Sequence, residues 1–339
     1  MILSVFAYSR QGCRTARAVA ELFRQEDCHK YTMEKFEEPD FSPIEKPSRD
    51  FYGERFRTSD AMIFVGSCGI AVRQIAPHVK DKKQDPAVIC IDELGKFVIP
   101  ILSGHIGGAN ELALQIAKAL GAIPVVTTAT DIHGRFSVDA WAARNGYEIS
   151  SMKAAKDVSA RILEKPVPIC SRFPVKSAYP AGTVERDSGD LGILLSWKKE
   201  EPFGETLRLI PKVLHLGIGC RKGISREAVA FAVEQVLKDY SIDKRAIKCA
   251  ASIDLKAQEQ GLVDYLKEQG IPVTFYSAQE LNAVPGEFTP SSFVSRITGV
   301  DNVCERAAMV GANTLIVHKT ACSGVTVAVA QEYREVYFG

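Results

Sequence analysis

Apolar positions along the chain alternate between short unbroken runs and longer stretches in which they recur every third or fourth residue, the two signatures of buried strands and amphipathic helices. The runs at 2–8, 61–65, 87–91 and 97–102 read as strands, with a shorter one at 123–126. Helical spacing covers 12–25, a short segment from 70, and 109–120, while 37–49, rich in Pro, Glu and Ser, reads as a loop. After residue 136 the rhythm changes. Helices at 137–145 and 154–163 precede short strands at 167–171 and 192–197, and the Pro- and Gly-rich stretch 173–189 reads as connecting loop. From 213 the strand-helix alternation returns: strands at 213–218, 247–253, 273–276 and 314–317, helices at 225–237, 256–269 and 302–310. The expected fold is α/β, with two doubly wound, Rossmann-like domains at 1–136 and 212–339 flanking a small α+β middle module at 137–211.

Composition narrows the class. The 339 residues are 46% hydrophobic and 24% charged, and 42 Lys and Arg nearly balance 41 Asp and Glu. A basic stripe for nucleic acid or an anionic membrane is therefore not expected. The first residues enter a strand with no signal-type segment, and no apolar run approaches membrane-spanning length, so the chain reads as cytoplasmic. Nine cysteines, scattered without a C-x-x-C pair, argue against a zinc site or a disulfide framework, and no metal site is expected.

Candidate chemistry sits in polar, glycine-containing words between strands and helices. Residues 102–110 read L-S-G-H-I-G-G-A-N, placing Ser103, His105, Gly107, Gly108 and Asn110 at a helix start, where backbone N–H groups attract anions. The glycines fit neither the dinucleotide nor the P-loop spacing. His105 lies between glycines rather than on an apolar face. Residues 66–73 offer Ser67 as a cap, Gly69 and, on an apolar helix, Arg73; a plain capped turn explains the same letters. Thr128 and Asp131, in T-T-A-T-D at 127–131, are expected at the carboxyl edge of the sheet, where open α/β sheets bind ligands, or form a turn that caps the next helix. Arg221 and Lys222 follow the strand at 213–218. Asp301, Glu305 and Arg306 open the helix at 302–310, Asp301 or Asn302 as its N-cap, and Lys319 follows the last predicted strand.

Five words in one order, G-S-C-G-I-A-V-R, L-S-G-H-I-G-G-A-N, T-T-A-T-D, G-I-G-C-R-K-G and T-G-V-D-N-V-C-E-R-A-A, resemble the CbiG family of cobalamin biosynthesis, and the resemblance covers all three units in their order, the middle one in position and size alone. The resemblance implies a hydrolase. Water opens the δ-lactone of cobalt-precorrin-5A and a two-carbon unit leaves as acetaldehyde, giving cobalt-precorrin-5B. Cobalt arrives inside the substrate, so no cofactor is implied; the partner is a small-molecule tetrapyrrole, with other cobalamin-pathway enzymes as further candidates. Residue chemistry makes His105 the expected general base, oriented by Asp131, with Glu305 the alternative. Backbone N–H groups at Gly69, or at Gly107 and Gly108, are expected to face the lactone oxyanion. Arg73, Arg221, Lys222, Arg306 and Lys319 suit the many carboxylates of the substrate, and Ser67, Ser103, Asn110, Thr128 and Asp301 complete the expected binding set. A non-catalytic tetrapyrrole carrier would keep the basic loops without needing His105, Asp131 or Glu305.

Overall fold

The computed structural model describes every residue except Glu37, Lys82, Lys83, Ile106, Ser291 and Gly339, and only the backbone of 292–294. Ile106, within the L-S-G-H word, thus lies outside the described residues. The chain forms two compact units, Met1–Ala143 and Arg144–Gly339.

The first unit contains strands β1 (Ile2–Ala7), β2 (Asp27–Thr32), β3 (Ser42–Pro43), β4 (Ala61–Val65), β5 (Ala87–Ile91), β6 (Phe97–Leu102) and β7 (Ile123–Pro124). Its helices are α1 (Arg10–Leu22), α2 (Ser48–Thr58), α3 (Cys68–Ile75), α4 (Ala109–Leu120), α5 (Ala129–Ile132) and α6 (Val138–Arg144), the last ending just beyond the unit. The strands make one seven-stranded sheet in the order β3-β2-β1-β4-β5-β6-β7. Alternate side chains of a strand face opposite ways, so both faces of the central strands are apolar and both are covered. Leu3, Val5, Ile63 and Ile89 pack with α1 and α4, and Phe6, Met62, Phe64 and Val88 with α2 and α3. The segment expected to be a loop at 37–49 instead contributes β3 and the start of α2. That helix buries only Phe51, Tyr52, Gly53 and Phe56 among polar neighbours, too narrow a stripe to stand out in the sequence.

One strand reverses the sense of the sheet. β6 runs antiparallel to β5, with Val88 opposite Leu102, and β7 runs parallel to β6. The carboxyl end of β6 therefore lies at the amino end of β5, while the two residues of β7 pair with the start of β6 and the chain leaves them in the same direction as β6.

The second unit holds two five-stranded sheets. The first has the order β10-β9-β11-β12-β8, from β8 (Tyr147–Ile149), β9 (Val167–Ser171), β10 (Thr183–Glu185), β11 (Leu191–Leu195) and β12 (Glu205–Pro211); it is parallel except at β8 and packs with α7 (Met152–Glu164). The second has the order β15-β14-β13-β17-β16, from β13 (Leu214–Cys220), β14 (Ile247–Ile253), β15 (Val273–Tyr276), β16 (Thr314–Cys322) and β17 (Val325–Gln331). Its helices are α8 (Arg226–Asp239), α9 (Gln260–Glu268), α10 (Ala278–Asn282), α11 (Ser292–Thr298) and α12 (Val303–Met309). The sequence reading misses β17, which inserts antiparallel between β13 and β16. The chain is thus mixed α/β with mainly parallel sheets. Among the described residues, no helix is long and apolar enough to cross a membrane.

At the start of β13, His215 turns Nδ1 to the Val310 carbonyl (3.0 Å) and Nε2 to Glu332 Oε1 (2.7 Å). Both partners only accept, which favours the doubly protonated ring. The contact with Cys249 raises its pKa, burial opposes, and Glu332 and the carbonyl raise it further, to about 9. The folded value exceeds the usual 6.5, so this stabilisation is complete below pH 6.5 and is lost as pH rises through about 9. Melting curves between pH 6 and 10 should show the second unit losing on the order of 2 kcal/mol over that window, and His215→Gln should flatten the dependence. An equal alkaline loss in the variant would place the titration elsewhere.

Candidate active site

The turn after β6 is built around close approaches. Ser103 adopts a left-handed backbone (φ 56°) and donates its hydroxyl to the Asp85 carbonyl at 2.9 Å. A Cβ on Gly107 would stand 2.4 Å from Ser103 Cβ, and one on Gly104 would stand 2.7 Å from Asn110 Oδ1, so both positions need the missing side chain. The N–H groups of Gly108, Ala109 and Asn110 donate to the carbonyls of His105, Ser103 and Gly104. The expected anion cradle is therefore corrected at Gly108: its N–H closes the turn and is not aimed at a ligand.

The turn presents one imidazole to a ring of polar groups. His105 Nε2 lies 2.9 Å from Asp131 Oδ2 and 3.2 Å from Thr130 Oγ1, and its Nδ1 lies 3.4 Å from Asp139 Oδ1. Asn110, buried at the start of α4, gives one amide hydrogen to Asp131 Oδ2 (2.7 Å) and the other to Thr128 Oγ1 (2.8 Å). Thus His105 and Asn110 from one word and Thr128 and Asp131 from another meet in one cluster. Asp131 has a side chain 36% exposed, against 18% for His105 and 12% for Asp139. The hydrogen bond to Asp139 raises the pKa of His105, burial lowers it, and Asp131 adds to the rise; the net shift is upward. Asp131 is the nearer carboxylate, but Asp139 is the more buried, and a charge acts more strongly where solvent screens it less. Sequence reasoning missed Asp139, although Ser137-Val138-Asp139 has the lettering of a helix start.

The reversed β6 moves this cluster. It follows the carboxyl end of β6, at the amino edge of the parallel strands, not at the carboxyl edge where the T-T-A-T-D word was expected. The 66–73 word takes the other end: Gly66 N–H donates to the Ile91 carbonyl at the carboxyl end of β5. There Ser67 caps α3, taking the Gly69 N–H (3.3 Å), and Arg73 is exposed with no partner among the described residues. About 17 Å of strand separates the two ends, at 3.3 to 3.4 Å per residue. Ser67, Gly69 and Arg73 therefore do not join the His105 cluster.

In the second unit, Glu305 is fully buried. It accepts from the backbone N–H of Thr289 (2.8 Å) and Lys319 (2.7 Å) and from Thr289 Oγ1 (3.1 Å). Burial would raise its pKa, but the bonds from Lys319 and Thr289 outweigh it and keep the carboxylate charged. Glu305 thus ties α12 to β16 and to the chain at 289, a structural post for the residue read as an alternative base. Of the two N-cap candidates, Asn302 is the cap, taking the Glu305 N–H (2.9 Å) and giving Nδ2 to the Thr289 carbonyl (2.9 Å). Asp301 instead grips Arg306 at 2.7 and 3.2 Å, and the guanidinium stacks on Phe288 and donates to the Val284 carbonyl. The charge of Arg306 is spent inside the fold. Lys319 is half-buried, and Arg221 and Lys222 are exposed in the turn after β13. Asn302→Ala should lower the stability of the second unit by about 2 kcal/mol through loss of cap and clamp; an unchanged melting temperature would contradict that role.

Two family patterns match the chain: "Cobalamin synthesis G N-terminal" at residues 50–131 and "Cobalamin synthesis G C-terminus" at 214–330. A cobalt-precorrin-5A hydrolase of Priestia megaterium is 34% identical over 354 residues, spanning 96% of this chain and 94% of its own. The chain belongs to the CbiG family. A second relative, the cobalt-precorrin-5A hydrolase of Salmonella typhimurium, is 33% identical over 303 residues, 82% of this chain and 83% of its own. The CbiG N-terminal pattern takes in His105, Asn110, Thr128 and Asp131 and ends on Asp131, leaving Asp139 outside it. The C-terminal pattern takes in Arg221, Lys222, Glu305 and Lys319.

Proposed function

We propose that this CbiG-family enzyme hydrolyses cobalt-precorrin-5A, opening its δ-lactone and releasing acetaldehyde to give cobalt-precorrin-5B, with His105 and Asp131 as the reacting pair. The activity rests on the hydrolases to which the chain is similar along nearly its whole length. The observation that carries the assignment of residues is a half-buried histidine held between two carboxylates, one of them open to solvent.

The chemistry needs a proton taken, given, taken back and returned. Asp131, the exposed member, accepts a proton from water as its oxygen attacks the lactone carbonyl. His105, protonated at the outset, gives a ring proton to the departing alkoxide oxygen, which becomes a hydroxyl. The now neutral imidazole takes that hydroxyl proton as the carbon–carbon bond breaks, and acetaldehyde leaves. The electron pair passes into the conjugated macrocycle, whose carbon takes the proton held by Asp131. Both groups end as they began. His105 is thus acid first and base second, where the sequence reading made it a base throughout. The cobalt stays in the substrate ring. A carrier would have no use for the two carboxylates around His105. Turnover in ¹⁸O-labelled water tests the route: one labelled oxygen retained in the macrocyclic product is expected, and an unlabelled product carboxylate would refute attack at the carbonyl.

A further inference from the structure

We infer that Asp139 is a positioning residue for the reaction, holding the Nδ1 side of His105 so that the resting enzyme carries an imidazolium there. This rests on the proposed role of His105, but its first test does not use the substrate.

A neutral imidazole has one N–H donor and one acceptor nitrogen, and an imidazolium has two donors. Around His105, Nε2 faces Asp131 Oδ2 at 2.9 Å and Nδ1 faces Asp139 Oδ1 at 3.4 Å. An ionised carboxylate offers no hydrogen. A neutral ring would therefore set a bare nitrogen lone pair against one negatively charged oxygen, and only the doubly protonated ring satisfies both sides. Among the described residues, the charged groups against the imidazole are Asp131 on α5 and Asp139 on α6; the Thr130 hydroxyl adds a neutral partner at Nε2, and Asn110 on α4 donates to Asp131.

Asp139 is itself fixed. Its Oδ1 accepts from Ser137 Oγ and from the Ala140 N–H, both at 3.0 Å, and the residue is buried. A carboxylate so held cannot swing away when substrate arrives, whereas Asp131 has an exposed side and is available to water. The two acids therefore differ in task. Asp131 exchanges protons, and Asp139 fixes ring orientation and makes His105 ready to donate first.

The test is an NMR titration of the His105 ring in the full chain, assigned by its loss in His105→Ala. In the wild type the ring should be doubly protonated at pH 7 and titrate above the usual histidine midpoint. In Asp139→Asn, which keeps Oδ1 and its two donors, the midpoint should fall by about one pH unit, and the high-pH limb of acetaldehyde release, where the required imidazolium is lost, should move down with it. A neutral His105 ring in the wild type at pH 7, or an unmoved midpoint in Asp139→Asn, overturns the inference. The wild-type titration decides the question even if the variant folds poorly. Both arms stand whether or not cobalt-precorrin-5A is turned over, so failure of the hydrolase reading would show separately as absent acetaldehyde beside a normal titration.

Discussion

His105→Ala will lower acetaldehyde release by roughly 10³-fold or more, the scale expected when one positioned acid–base group serves two proton transfers. The loss should fall on turnover rather than on folding. The side chain is half-buried, and the contact that closes its turn comes from the His105 backbone carbonyl, which alanine retains. Near-UV circular dichroism should therefore stay close to wild type, with only a modest fall in the melting temperature of the first unit from loss of the imidazolium between the two carboxylates. Glu305→Gln gives the contrast. Its carboxylate is fully buried and takes three hydrogen bonds, two of them from backbone N–H groups, so an amide there leaves a donor facing donors and costs stability before it costs chemistry. Equal activity of His105→Ala and wild type, with both folded, would remove His105 from the reaction.

Gly217→Ala will unfold the second unit. A Cβ at this position in β13 would lie 1.7 Å from the Cys304 carbonyl oxygen and 2.6 Å from the Ala308 nitrogen, both backbone atoms of α12. Rotamer changes cannot relieve a clash with backbone, and α12 cannot withdraw cheaply, because Cys304 and Ala308 on one side and Val303 and Ala307 on the other pack into buried clusters. The expected cost exceeds about 4 kcal/mol, a size seen only where a substitution breaks a core contact outright, and the variant should be insoluble or lack a cooperative transition for this unit. Gly223→Ala is the control. Gly223 has a left-handed φ of 68° but open space around its would-be Cβ, so alanine there should cost only about 1 kcal/mol from backbone strain. Similar behaviour of the two variants would show that steric approach is not what Gly217 provides.

What the letters disclose follows from what the local environment imposes. Strands buried on both faces must be apolar at every position, and Ala61–Val65 and Ala87–Ile91, buried throughout, stand where unbroken apolar runs predict them; the partly exposed Phe97–Leu102, Val167–Ser171, Ile247–Ile253 and Val273–Tyr276 also stand at their predicted bounds. Helix Ala109–Leu120 is equally plain from its periodic stripe between two glycines. Direction is another matter, since a buried run reads the same either way along the sheet. The antiparallel entry of β6 and of β17 is accordingly invisible, and with β6 goes the end of the sheet at which His105 sits. The cluster was half legible: His105, Asn110, Thr128 and Asp131 carry polar letters in unusual places, but the bond from Asn110 that joins two words depends on tertiary folding. Asp139 looks like an ordinary helix-opening acid, and nothing in its neighbours announces that it faces a histidine more than thirty positions earlier. Arg306 and Glu305 mislead for the opposite reason, since charged letters on an alanine-rich helix resemble a ligand-facing pair while the fold uses both charges internally.

Hydrolysis is measured directly as acetaldehyde released from cobalt-precorrin-5A, followed through a coupled alcohol dehydrogenase with wild-type enzyme and His105→Ala side by side. One acetaldehyde per pigment consumed by the wild type, with the variant folded and close to inactive, is the predicted result. Tight binding of the pigment by wild type with no acetaldehyde and no change in the pigment would contradict it, and would leave the protein a carrier of its tetrapyrrole.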